Sequence, residues 1–325
     1  MKFRALACVL MALFIYGCQR DTSVSEPDTG LPPAVPAGPQ VVAAHDGSIL
    51  IDWRPNAEPN LRGYNVYKGV NDSLHLKKVF FTSNSYFYDD SLSYDSTYYY
   101  KVSAVDNRGK ESQQTSLLNA RPINLEAPRA VNTLEVNARN WVDSLSVFLK
   151  WEPNTEGDIS GYEVYRGESQ GFSPGSNNLI GTATGPFFLD RHNLKPYVTY
   201  YYKLITKDKG GLKSNAGNED SDMILGIPEA LFPRNGSQVD YFDYFIIKGI
   251  SVPAHYKIIL QSNEFFGEIW SREFDSGVTN DSIKVKIDGV QLNTNYVYYW
   301  RIATYSNGNS EPNSISPLYN FTIRP

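Results

Sequence analysis

Trp53-Arg-Pro-Asn-Ala-Glu-Pro-Asn-Leu-Arg-Gly-Tyr-Asn-Val-Tyr-Lys-Gly69 recurs 98 residues later as Trp151-Glu-Pro-Asn-Thr-Glu-Gly-Asp-Ile-Ser-Gly-Tyr-Glu-Val-Tyr-Arg-Gly167, with nine of 17 positions identical and no gap. A second block follows each copy: Thr97-Tyr-Tyr-Tyr-Lys-Val102, then Thr199-Tyr-Tyr-Tyr-Lys-Leu204, with a weaker third copy at Tyr296-Val-Tyr-Tyr-Trp-Arg-Ile302. A chain that repeats at a domain-sized period is an array of similar units, each with its own core. Within the second block Tyr98, Tyr100 and Val102 alternate with Tyr99 and Lys101, and the later copies keep that phase. Alternation at period two marks a strand with one buried face. Aromatic residues make up 14% of the chain, and 24 Gly and 19 Pro provide turns between short strands. No long amphipathic helix is evident, so the expected fold class is all-β.

These blocks resemble the fibronectin type III module. The resemblance is close over 37–122 and 126–225 and more distant over 228–325. It implies three tandem immunoglobulin-like β-sandwiches in which Trp53 and Trp151, on the second strand, pack across the core. It also implies a tyrosine corner in each module, from Leu92 with Tyr98, Leu194 with Tyr200, and Leu292 with Tyr298. The third copy departs from the pattern: Tyr244-Phe-Ile-Ile247 stands on the second strand without an indole, while Trp300 takes an inward place. Joints fall near Pro122–Pro128 and Gly226–Pro228, both short, so neighbouring modules should move only modestly.

Outward from the repeats lies a different kind of sequence. Residues 18–36 read as a flexible tether, polar at first and then kept extended by Pro27, Pro32, Pro33 and Pro36. Before it, Lys2 and Arg4 precede an uncharged, mostly apolar run from Ala5 to Tyr16. That run is too short to span a bilayer, which needs about 20 helical residues. A basic start, a short apolar stretch and a small residue before the cut make residues 1–17 a secretory signal peptide. Ile15-Tyr16-Gly17-Cys18 resembles the bacterial lipobox, although Tyr16 is bulky for its place. The resemblance implies cleavage before Cys18, a lipid thioether and palmitate-type acylation there, and a membrane anchor. Gln19 after the cysteine favours the outer membrane of a bacterial cell envelope.

Processing would remove Cys8, leaving Cys18 as the one cysteine, so neither a disulfide within the chain nor a thiol metal site is expected. Losing Lys2 and Arg4 lowers the basic residues from 30 to 28 against 35 acidic ones, a net charge of −7. That balance speaks against nucleic acid as a partner. His45, His75, His192 and His255 fall far apart, with no spacing of a zinc site, and no nucleophile elbow or phosphate loop is present. Asp89, Asp90, Asp143, Glu156, Asp158 and Asp190 read as ordinary turn residues. Glu219-Asp220-Ser221-Asp222 has oxygen ligands for Ca²⁺ but no known loop spacing, and reads as a solvated loop. No catalytic residue, metal or cofactor is therefore expected.

Two patterns point toward binding. The outward positions of the tyrosine blocks pair an aromatic ring with a cation: Tyr99 with Lys101, Tyr201 with Lys203, and Tyr299 with Arg301. If the modules align, such pairs suit sugar rings or protein hot spots; the plain alternative is cross-strand pairing on a solvated face. Phe265, Phe266 and Trp270 are the second candidate, against a plain reading as a core strand. The expected function is a non-enzymatic envelope lipoprotein acting as a modular spacer and scaffold for protein or polysaccharide partners. The alternative is a carbohydrate-binding accessory lipoprotein of a glycan-uptake or degradation system.

Overall fold

The computed structural model describes residues 30–141, 144–306 and 311–325; the signal segment, Cys18, most of the tether and Asp143 lie outside the described residues. Module 1 contains β1 (Ala37–His45), β2 (Ser48–Arg54), β3 (Leu61–Val70), β4 (Lys77–Thr82), β5 (Tyr86–Asp89), β6 (Tyr98–Asp106) and β7 (Leu118–Ala120). They form two sheets, in orders β1-β2-β5 and β4-β3-β6-β7. The β1–β2 hairpin turns on Asp46-Gly47, both at positive φ, the dipeptide that a two-residue hairpin loop demands. Module 2 repeats the plan with β8 (Glu135–Trp141), β9 (Ser144–Lys150), β10 (Ile159–Gly167), β11 (Leu179–Ala183), β12 (Phe187–Asp190), β13 (Thr199–Asp208) and β14 (Asp220–Met223). Its sheets run β12-β9-β8 and β11-β10-β13-β14.

Module 3 contains β15 (Glu229–Phe232), β16 (Ser237–Val239), β17 (Tyr244–Lys248), β18 (Ala254–Gln261), β19 (Glu268–Ser276), β20 (Ser282–Lys286), β21 (Val297–Tyr305), β22 (Ser314–Ile315) and β23 (Tyr319–Ile323). One sheet is β15-β17-β20; the other runs β19-β18-β21-β23, with β16 added in parallel beside β23. The chain is thus three tandem immunoglobulin-like β-sandwiches of the fibronectin type III kind, and the topology alone carries that assignment.

Each sandwich has its own core. Trp53 meets Tyr64 edge-on at 5.1 Å between ring centroids, and Trp151 meets Tyr162 at the same 5.1 Å. Both indoles are buried. The corner tyrosines are tied locally three times over: the hydroxyl of Tyr98 accepts from the Ser93 N–H at 2.8 Å, that of Tyr200 from Lys195 at 3.0 Å, and that of Tyr298 from Asn293 at 2.7 Å. Leu92 and Leu292 are buried, while Leu194 is only partly covered.

In module 3 the indole's place on the second strand is taken by Gly249. Its N–H donates to Asp281 O just before β20, as Trp53 donates to Ser85 and Trp151 to Pro186. The missing volume is supplied from elsewhere: Trp300 packs on Phe245 at 4.7 Å, and Trp270, Phe242 and Phe321 close around that ring.

The joints are hydrogen-bonded rather than merely short. Between modules 1 and 2, Asp46 Oδ1 accepts from the N–H groups of Leu125 and Glu126 at 2.7 and 2.8 Å, and Tyr94 donates to Asp158 at 2.5 Å. Gly47 sits at φ +67° with Asp158 so close that a Cβ would lie 2.8 Å from the Asp158 side chain, so this contact needs glycine twice over. Between modules 2 and 3, β22 pairs with β21 on one side and runs parallel to β8 on the other. The result is one nine-stranded sheet shared by both modules.

Candidate functional site

The acidic residues are the first place to look for chemistry, and the fold has already engaged most of them. Asp190, at the end of β12, is fully buried; it accepts from Arg166 Nη1 at 2.6 Å and from the Tyr202 hydroxyl at 2.9 Å. Module 1 repeats the arrangement, with Asp89 accepting from Tyr100 at 2.6 Å and paired with Lys68 Nζ at 2.6 Å. The cations also lie over the corner tyrosines, Lys68 at 4.9 Å from the Tyr98 ring and Arg166 at 5.0 Å from Tyr200. Burial, then the neighbouring Asp, pushes the Tyr100 and Tyr202 phenols well above the ordinary range, so both stay protonated donors. Asp190 is thus no water-facing residue: besides capping its turn through the His192 N–H at 2.9 Å, it is the centre of a closed ion pair.

The Glu219–Asp222 stretch is not a solvated loop either. It leads into β14, and its carboxylates cap the free edge of β8: Val136 N–H donates to Asp220 at 2.8 Å and Ala138 N–H to Asp222 at 2.7 Å. The next N–H on that edge, Asn140, donates to Asn313 O at 2.7 Å. An edge strand is a template for unwanted pairing unless something covers it; here side chains do. Burial pushes the Asp222 carboxyl up, against the hydrogen bonds that hold it. Among the described residues no three His, Cys, Asp or Glu side chains converge as a metal site.

The three tyrosine–cation pairs all point outward and are partly covered. Lys203 is engaged: its ammonium donates to Phe172 O at 2.8 Å, lies 5.2 Å from that ring, and sits 3.5 Å from Glu219. Lys101 faces Tyr67 across the strands, whose hydroxyl bonds Glu111. Arg301 differs. It faces Ile259, and its buried Nε has no partner. The structure also keeps the pairs apart. The sheet carrying Tyr299 and Arg301 continues through β22 into the β8 sheet of module 2, whereas Tyr201 and Lys203 stand on the opposite sheet of that module. Modules 2 and 3 therefore present these pairs on different sides.

Phe265 and Phe266 are not core residues. They sit at the tip of the β18–β19 hairpin, 83% and 72% exposed. The Asn263 side chain accepts from both of their N–H groups at 3.0 and 2.9 Å, and Ser262 N–H closes the turn on Gly267 O at 2.9 Å. Trp270, read from sequence beside them, turns inward and stacks on Phe245 at 5.6 Å. Asn263 and Gly267 are the turn residues that could have announced the hairpin.

Comparison with known proteins adds little detail. No protein-family model matches this chain. Exoglucanase B of Cellulomonas fimi is 27% identical over 221 residues, covering 65% of this chain and 18% of that enzyme's own length. The chicken CNTN1 FN1–FN3 domains, in a crystal structure, are 14% identical and cover 91% of this chain and 100% of theirs, with a TM-score of 0.35.

Proposed function

We propose that this chain is a non-enzymatic lipoprotein of the bacterial cell envelope. Anchored through an acylated Cys18, its three sandwiches act as a stiff spacer that holds an interaction surface away from the membrane. The observation that supports a spacer best is the pair of bonded joints, above all the sheet that passes from module 2 into module 3 through β22. A flexible string of beads would need no buried side chain at its joints. Here Asn313 is fully buried, accepts from Leu225 N–H at 2.7 Å and donates to Asp222 and to Met223 O.

Spin labels introduced through Lys78→Cys, Arg191→Cys and Lys284→Cys, in a chain expressed from Gln19 onward and so without Cys8 and Cys18, test the spacer. Narrow distance distributions across both joints are expected; broad ones would end the reading. Metabolic palmitate labelling, lost in Cys18→Ala, tests the anchor. A carbohydrate-binding accessory role is the second reading. It is favoured by the exposed Phe265–Phe266 tip and by the partial similarity to a protein named as a glucanase.

A further inference from the structure

We propose that the outer pole of module 1, built from residues 30–37 and the β2–β3 and β6–β7 loops, docks on an anionic lipid surface through Arg54, Arg62, Arg108 and Lys110. This rests on the reading of the chain as anchored through Cys18, and it names the surface on which the first module stands. The chain enters module 1 at this pole. Lys110 Nζ donates to Gly30 O, Ala34 N–H donates to Glu58 at 2.6 Å, and Asn107 N–H donates to Asn60 O at 2.9 Å, so the three segments are bonded into one surface. The stretch from Cys18 to Gly30 reaches at most about 40 Å, so an anchor at Cys18 keeps the pole near the headgroups.

The charge of this pole is local. All four cations are exposed, in a chain whose net charge is −5. The carboxylates among them are held by backbone. Asp106 is 1% exposed and accepts from the N–H groups of Arg108 and Lys110 at 2.9 and 2.8 Å, while Glu58 is half-buried on Ala34. Leu31, exposed beside the Gly30 contact, and Val35, which lines a shallow cleft with Arg54, add apolar surface. Cations beside exposed apolar side chains suit the boundary of headgroups and acyl chains. The stretch before the pole carries Arg20 against Asp21, Glu26 and Asp28, so the attraction falls to the pole itself.

The repeat supplies an internal comparison. In module 2 the places of Arg54, Arg62, Arg108 and Lys110 are taken by Glu152, Ser160, Gly210 and Leu212, on the pole that meets module 1. There Asp158 accepts from Tyr94, and Gly210 packs on Asn124. The cations are thus present on the pole that no described module covers and absent from its covered counterpart. A soluble polyanion would meet the field of the whole acidic chain, whereas a tethered pole meets headgroups at a high local concentration. The anchored lipid surface is therefore the occupant that the charge fits.

The test is flotation of the whole chain, expressed from Gln19 onward and so without an acyl anchor, with vesicles of phosphatidylglycerol and phosphatidylethanolamine at low ionic strength. Co-flotation is expected there, but not with vesicles of phosphatidylethanolamine and phosphatidylcholine, and added salt should abolish it. Arg54→Gln/Arg62→Gln/Arg108→Gln/Lys110→Gln should weaken binding about a hundredfold. Arg54→Gln/Lys110→Gln, at two exposed positions, serves if the fourfold change disturbs folding, with a loss of about tenfold. Lys284→Gln/Lys286→Gln on β20 should leave binding unchanged. No co-flotation, equal binding to the neutral vesicles, or binding that the pole variants leave unchanged overturns the proposal. So does an equal loss in the β20 variant, or capture by heparin without binding to vesicles. Each failure leaves the anchor and the spacer untouched, because those are read from palmitate labelling and from distances across the joints.

Discussion

At the scale of single residues, the most instructive positions are Asp190, Arg166 and Tyr202. Modules 1 and 2 fill them with Asp, Lys or Arg, and Tyr; module 3 fills the equivalent places with Val285, Leu260 and Trp300, all buried. All three positions change together from polar to apolar. Electrostatics gives the reason. A buried carboxylate is tolerable only with its cation and donor in place, and an apolar trio of similar volume does as well or better. Asp190→Ala should therefore cost about 3–5 kcal/mol, because it leaves Arg166 without its partner in a half-buried site. The triple swap Asp190→Val/Arg166→Leu/Tyr202→Trp should lie far closer to the parent chain. Chemical denaturation of the two variants checks the ordering, and equal losses would refute it.

Asp46 gives a pH dependence of definite sign. Burial alone would raise its carboxyl, but the N–H groups of Glu126 and Leu125, with His45 beside it, hold it below the ordinary 3.8. It thus binds its proton more weakly in the folded chain than in the unfolded one. Its contribution is present in full above the ordinary Asp range and is lost as the pH falls through the lowered value. Asp46→Ala should cost about 1–3 kcal/mol at neutral pH, and the gap to the parent should close as the pH drops below 3.8. Melting curves taken from neutral to acid pH measure that gap.

At the scale of elements, the strand patterns were legible and the joints were not. The inward phase of β6, β13 and β21 could be read from alternation because each strand has one dry face. The second strand of module 3 was legible as a strand, but not the substitution of Gly249 for the indole, since the compensating Trp300 and Trp270 come from other strands. Nothing in the sequence announces β22. Two residues carry no period, and its partner β8 lies more than 170 residues earlier. Nor could the edge caps from Asp220 and Asp222 be foreseen, because a carboxylate bonding a distant backbone looks like any acidic stretch. Asn313→Ala should expose how much the joint depends on this region. It leaves the buried Leu225 N–H without an acceptor, a loss of about 1–3 kcal/mol. Amide exchange at Leu225 and along β22 should quicken markedly, while the core of module 1 stays protected.

For the whole molecule, the bonding pattern sets the cooperativity. Modules that share a sheet and a buried asparagine should unfold together, since opening one exposes the other's edge. Calorimetry of the chain should resolve one transition for modules 2 and 3 together, and Asn313→Ala should split it. Two separate transitions in the parent chain would show that the shared sheet is energetically trivial. The candidate binding surfaces were legible only in part. The outward direction of Tyr299 and Arg301 could be read from their phase, but the exposure of Phe265 and Phe266 depends on a turn whose geometry outranks the hydrophobicity of its tip.

Because β22 lies alongside β8 rather than end to end with it, tension along the chain would shear that contact, loading its hydrogen bonds together. The linker around Gly226 is tied into the same clasp, since Leu225 N–H donates to Asn313 and Gly226 O accepts from Ser314. Pulling modules 2 and 3 apart would therefore have to break the β22–β8 bonds and the linker's own bonds as one unit.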